Sequence, residues 1–327
     1  MSSNFERKLS LLGGRTLAYE EAGTTSSKIV VLYLHGAFTV GEASQPSSVL
    51  LRKGVHYVAP TLPGWGNTSS PPPSTSYVDC LTTDMTALLD HLYPEDNHDI
   101  TLYVAGGSFG TAPAQILYGA SYEKFPYGRR IAGLLLLGAM SPFYYHRDYA
   151  KYMSWSNYIM AGPPALILPF NIIPRLVKLM LKRKLSSVAG AEAFLQETLF
   201  GKMKEDERKD FAEWRDAHRL KDGDTEHRLA KNVARSVATS WNGVMLMSAV
   251  LHSDWGFRPD ALDAEHSRPS VLLASSKDDV MAPEAYAKYL AACYKNARIK
   301  SVGGGHLSVL YHLDEIWTEF LATVADS

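Results

Sequence analysis

Apolar runs that suit buried strands alternate along the chain with segments of helical periodicity. Residues 28–34 (KIVVLYL) form a continuous apolar run, the pattern of a strand covered on both faces. Similar runs return at 55–59 (VHYVA), 100–105 (ITLYVA), 131–137 (IAGLLLL), 270–275 (SVLLAS) and 298–302 (RIKSV), and residues 7–21 read as a hairpin around Gly13-Gly14. Helical patterns lie between them at 76–92, 109–123, 283–295 and 312–324; the last repeats Leu313, Ile316, Trp317 and Phe320 on one face. Strands separated by helices predict an α/β fold: a mostly parallel, eight-stranded sheet flanked by helices.

The alternation breaks once. Between Leu137 and Ser270 no segment reads as a strand, and helical patterns follow one another at 144–158, 174–185, 190–200, 205–220 and 226–250. This predicts a helical cap over 142–250, inserted after the sixth strand into a core made of 1–141 and 251–327. Tyr145, Tyr149 and Tyr152 fall on one face of its first helix. Such a stripe mainly fastens the cap to the sheet, with Tyr145 and Tyr149 as the residues expected to reach a substrate. Tyr158 to Pro174 is uncharged and apolar but carries Pro163, Pro164, Pro169 and Pro174, and it is shorter than the ~20 residues of a membrane-spanning helix. With the basic residues that follow (Arg175, Lys178, Lys182, Arg183, Lys184) it could form a membrane-surface element. The expectation is instead a proline-broken cap segment folded over a pocket, without membrane contact.

Composition narrows the function. Hydrophobic residues make up 46% and charged residues 20% of 327, enough for a sizeable core and against disorder. Lys plus Arg is 33 against 34 Asp plus Glu, so no net basic field favours nucleic acid. Two distant cysteines, Cys80 and Cys293, form no disulfide framework and suit a reducing compartment. The opening MSSNFERKLSLLGG has no apolar stretch of signal length, so a cytoplasmic location is expected. Eleven histidines include no H-E-x-x-H and no Cys/His cluster, and neither a P-loop nor a strand-linked G-x-G-x-x-G occurs. No metal and no cofactor are therefore expected.

The strongest chemical signal is Gly106-Gly107-Ser108-Phe109-Gly110, a G-x-S-x-G between the strand ITLYVA and a helix. A strand that turns directly into a helix strains the serine backbone and exposes its hydroxyl at the carboxyl edge of the sheet, near a helix N-terminus that favours negative charge. His35-Gly36-Ala37-Phe38 follows the strand KIVVLYL. A tetrahedral intermediate needs two backbone N–H donors, and Phe109 and Ala37 are the candidates. His35 is expected to brace its loop, and Phe38 to border the substrate.

With these motifs, and with Leu62-Pro63-Gly64-Trp65-Gly66-Asn67-Thr68-Ser69 after the fourth strand, nearly the whole chain resembles the α/β-hydrolase superfamily. The resemblance implies a triad in the order nucleophile, acid, histidine. In similar proteins the acid stands four residues before a proline after the seventh strand, which selects Asp279 ahead of Pro283; the adjacent Asp278 is its competitor. The histidine is implied after the eighth strand, in Val302-Gly303-Gly304-Gly305-His306, with His312 as the weaker alternative. Gly107 departs from the bulky residue frequent at that place, so free space beside Ser108 is expected. The activity implied is hydrolysis of a carbonyl ester of a small to medium, mainly apolar small molecule. The same triad could serve a thioester, a lactone, a carbon–carbon bond or acyl transfer, and a receptor-like binding protein is the reading from a different class.

Overall fold

The computed structural model describes residues 6–94 and 99–325. Residues 1–5, part of the stretch read for a leader, lie outside them, as do 95–98 and 326–327. Eight strands form one sheet: β1 (Arg7–Ser10), β2 (Thr16–Gly23), β3 (Ile29–Leu34), β4 (His56–Pro60), β5 (Thr101–Gly107), β6 (Ile131–Leu137), β7 (Ser270–Ser276) and β8 (Ala297–Val302). Their order is β1-β2-β4-β3-β5-β6-β7-β8. β1 pairs antiparallel with β2 and β2 with β4; every other pairing is parallel.

The continuous apolar runs have a direct packing cause. Side chains alternate across a strand, so a strand buried on both faces needs apolar residues at every position. In β6, Leu134 and Leu136 enter the core on one face while Leu135 and Leu137 enter that on the other. Each fully buried leucine contributes about 1.5–3 kcal/mol relative to exposure. α1 (Ser48–Arg52), α2 (Tyr77–Leu92) and α3 (Thr111–Gly119) follow β3, β4 and β5.

The interval between β6 and β7 contains no strand among the described residues. Its helices are α4 (Trp155–Ala161), α5 (Pro164–Ile167), α6 (Ile172–Leu181), α7 (Val188–Thr198), α8 (Glu205–Ala217), α9 (Asp224–Ala238) and α10 (Asn242–His252). The chain closes with α11 (Glu284–Cys293), α12 (Ser308–Tyr311) and α13 (Leu313–Ala325).

Three sequence expectations change here. The helix over 144–158 is instead a turn at Pro142–His146, a 3-10 turn at Tyr149–Tyr152 and α4, whose start is set by Ser154 capping the Asn157 N–H. Tyr145, Tyr149 and Tyr152 therefore share no helical face. The helix over 226–250 is broken at Thr239–Trp241: the Gly243 N–H donates to Gly64 O at 2.9 Å, and Gly243 lies so close against the Trp65 ring that a Cβ would sit 2.3 Å from it. Finally, the segment Tyr158–Pro174 does not turn its apolar side chains inward throughout. Ile159, Leu166, Ile167 and Phe170 are all exposed.

Candidate active site

β5 ends at Gly107, and Ser108 begins a tight 3-10 turn that leads into α3. Ser108 has φ 51°, a left-handed conformation that a side-chain-bearing residue rarely adopts. The turn closes because its flanks lack Cβ atoms: one on Gly110 would lie 2.1 Å from Leu34 O, and one on Gly106 would lie 2.3 Å from Gly110 O. The buried Thr111 locks the turn from below. Its hydroxyl donates to Ser108 O at 2.6 Å and accepts the Met140 N–H at 2.8 Å. Gln115 extends this buried network, donating to Thr111 O and Met140 O while Tyr294 Oη donates to its carbonyl. Sequence reasoning missed Thr111, although its position three residues after the serine was a local signal. Gln115 and Tyr294 left no such signal, because their partners lie far along the chain.

Ser108 Oγ lies 3.1 Å from His306 Nε2, and His306 Nδ1 lies 2.7 Å from Asp279 Oδ2. The carboxylate can only accept, so Nδ1 carries the proton and Nε2 is left to accept from the serine. Asp279 is 5% exposed, and its other oxygen accepts the backbone N–H groups of Met281 and Ala282 at 2.8 and 3.0 Å. Asp278 points away, its side chain 47% exposed and paired with Lys204 at 2.9 Å. His312 faces Glu315 at 3.6 Å. Burial acts to lower the His306 pKa, but the charge of Asp279 and its hydrogen bond outweigh this, and the net shift is upward.

The loop after β3 lies against the serine: a Cβ on Gly36 would be 3.3 Å from Ser108 Cβ. This places Ala37 at the edge of the site, with Phe109 directly after Ser108. His35 is buried, accepts the Leu62 N–H at Nε2 (2.9 Å) and donates from Nδ1 to Gly36 O (2.7 Å), so it joins the loops after β3 and β4. Its pKa falls to about 4 because burial outweighs the bond to Gly36. Phe38 also has a positive φ, 54°, and packs against Trp65, Phe194 and Trp241. The expected space beside Ser108 at Gly107 is taken: a Cβ there would meet Tyr33 Oη at 2.6 Å, so a tyrosine of β3 occupies it.

Tyr145 and Tyr149 have other partners. The Tyr149 ring stacks on Phe143 at 4.1 Å and its hydroxyl bonds His252 Nε2 at 2.8 Å, while Tyr145 donates to Asp254. Besides Phe194 and Trp241 against Phe38, the helical interval reaches the surroundings of the site through polar ties. Glu207 of α8 accepts from Ser308 at 2.9 Å, Asn157 of α4 donates to Val280 O at 2.8 Å, and Asn232 of α9 accepts the Val40 N–H at 2.7 Å. Among the described residues no group of three or more His, Cys, Asp or Glu is placed to hold a metal ion.

A family model described as the alpha/beta hydrolase family matches residues 31–319. Among solved structures, a hydrolase from Pseudomonas aeruginosa PA01 is 16% identical, with 100% of both chains covered and a TM-score of 0.62. A bromoperoxidase from Bacillus anthracis is 17% identical over 97% of this chain and 99% of its own, with a TM-score of 0.63. An esterase from Exiguobacterium antarcticum is 15% identical over 97% and 98%, with a TM-score of 0.57. At these identities the likeness concerns the fold. No curated protein matches the sequence.

Proposed function

This chain belongs to the alpha/beta hydrolase family, and from that premise we propose that it is a serine hydrolase cleaving a carbonyl ester of a small to medium, mainly apolar substrate. The observation that carries the reading is the hydrogen-bonded series Ser108–His306–Asp279, at 3.1 and 2.7 Å, with the serine in a strained turn. The left-handed backbone at Ser108 holds its hydroxyl beside the imidazole, and a nucleophile is the role that uses such a strained turn.

In this mechanism His306 Nε2 takes the Ser108 proton as Oγ bonds to the carbonyl carbon. The carbonyl oxygen becomes an oxyanion that accepts the N–H groups of Ala37 and Phe109. The intermediate collapses, the carbon–oxygen bond to the alcohol breaks, and His306 gives its proton to the departing oxygen. Water then attacks the acyl group with His306 again as base, releasing the acid and restoring Ser108. Asp279 holds the imidazole tautomer and stabilises the imidazolium throughout. The helical interval acts as a cap that keeps bulk water from the acyl-enzyme, and the aromatic group around Phe38 supplies apolar wall. Esterases among the structural neighbours agree with this reading.

The test is intact-mass analysis after a fluorophosphonate probe, with wild type beside Ser108→Ala and His306→Ala, followed by p-nitrophenyl esters of increasing acyl length. One adduct on wild type, none on Ser108→Ala and slow labelling of His306→Ala are expected, with ester turnover lost in both variants. Labelling without turnover of any ester, thioester or lactone would point to a receptor-like protein. Ester products formed from added alcohol would point to acyl transfer.

A further inference from the structure

We propose that the α4–α6 layer docks on the surface of an anionic lipid bilayer. α4, α5 and α6 pack on one another and on α10, yet they turn large apolar side chains outward. Trp155, Ile167, Phe170, Leu179 and Met180 are each more than three-quarters exposed. Monomeric soluble proteins rarely leave so many neighbouring apolar side chains in water unless the surface binds something.

The helix wheel of α6 separates three sides at 100° per residue. Pro174, Val177 and Leu181 face inward, Ile172, Leu176, Leu179 and Met180 face outward, and Arg175, Lys178 and Lys182 run along the edge of the outward side. An outward apolar face with a basic margin lets the apolar side chains enter the acyl boundary while the cations reach the headgroups. Just before α6 the backbone takes two consecutive left-handed residues, Phe170 (φ 59°) and Asn171 (φ 53°). That costly turn carries the phenylalanine ring at its tip, 79% exposed.

Charge selects the occupant. From Tyr149 to Ala191 the chain has no Asp or Glu, although the whole protein carries a formal charge of −1. Lys151 and Lys184 pair with Asp148 and Glu197, and the basic margin is made by Arg175, Lys178, Lys182 and Arg183. A second copy of this chain, related by a twofold axis, would set cation against cation. An anionic leaflet meets both the apolar face and its basic margin. The layer also reaches the candidate site, through Asn157 on the carbonyl of Val280, the residue after Asp279. The inference does not depend on the ester reading, because binding alone tests it.

The experiment is co-sedimentation of the full chain with phosphatidylserine vesicles and, separately, phosphatidylcholine vesicles. Wild type is expected to bind the former, with affinity falling as salt is raised. Phe170→Ser/Leu179→Ser and Arg175→Glu/Lys182→Glu are each expected to weaken binding on the order of tenfold or more. Both pairs lie at the surface, and unchanged circular dichroism identifies folded variants. Failure of wild type to sediment with phosphatidylserine would overturn the proposal, as would unchanged binding of either variant. Equal binding to both lipids would also overturn it. A wild-type dimer that becomes monomeric in Phe170→Ser/Leu179→Ser, with no vesicle binding, would assign the face to a second copy instead.

Discussion

The sheet and the helical interval between β6 and β7 solve the burial problem in opposite ways. Leucines of β3, β5, β6 and β7 are fully buried, and each strand is covered on both faces. The interval has apolar residues in similar abundance, but in α4–α6 many of them face outward. It is tied to the core around the site by separate polar contacts: Arg228 to Glu42, Arg235 to Glu20, Lys204 to Asp278 and Glu207 to Ser308. The sheet is thus a rigid platform that can hold a strained serine. The inner helices of the interval also share the apolar core, through Phe194, Phe211 and Trp241 among others. The contrast with the sheet lies in the outer layer α4–α6, whose apolar side chains stay outside that core.

The sharpest way to break this contrast compares the acid with its neighbour. Asp279→Asn, on the sheet side, is expected to lower kcat for an ester by about 10³–10⁴-fold, because the imidazole loses its tautomer and charge partner. Lys204→Ala, which removes the tie from the interval to Asp278, is expected to change kcat within about threefold, since exposed pairs contribute little. Comparable losses in both would mean that the interval, and not the sheet, positions the acid.

Next in size is packing. Leu134→Ala in β6 should cost about 2–5 kcal/mol in denaturant unfolding, whereas Leu179→Ala in α6 should stay within about 0.5 kcal/mol. Equal costs would erase the difference between the regions. Thr111→Val leaves the half-buried Ser108 carbonyl and the buried Met140 N–H without their shared partner; about 1–3 kcal/mol of stability should go, with ester turnover falling alongside.

The smallest effect is a shift in a pH profile. His306 must be neutral to act as base, so kcat/KM for an ester should fall as pH drops, with a midpoint above the ordinary imidazole value of 6.5. Asp279→Asn should move that midpoint down. For stability the sign is reversed: the pair's contribution is complete below about 6.5 and is lost as pH rises through the folded His306 value. A midpoint below 6.5 in the wild type would mean that burial outweighs the charge of Asp279 at His306.

What was legible follows from the range of the interaction behind each feature. The strands of the sheet and the turn at Ser108 are written in local patterns, and the resemblance to a known superfamily supplied the order of the triad and, with it, Asp279 and His306. The choice between Asp278 and Asp279 was open until the turn was seen, because a single residue reverses the side-chain direction. The break between α9 and α10 was hidden in continuous helical periodicity, since its cause is Trp65, far away in sequence. Tyr33 filling the space at Gly107 was equally hidden: cross-strand neighbours are set by register between β3 and β5.

The sequence alone determined which segments must be buried on two faces and which residue types could carry nucleophilic chemistry, because both depend on period and composition within a few residues. Only the tertiary structure decided which carboxylate meets His306, which tyrosine stands beside the elbow, and that the apolar residues of α4–α6 face outward. An apolar side chain in sequence is the same whether it points to a core or to solvent; the direction is set by what the rest of the chain packs against it.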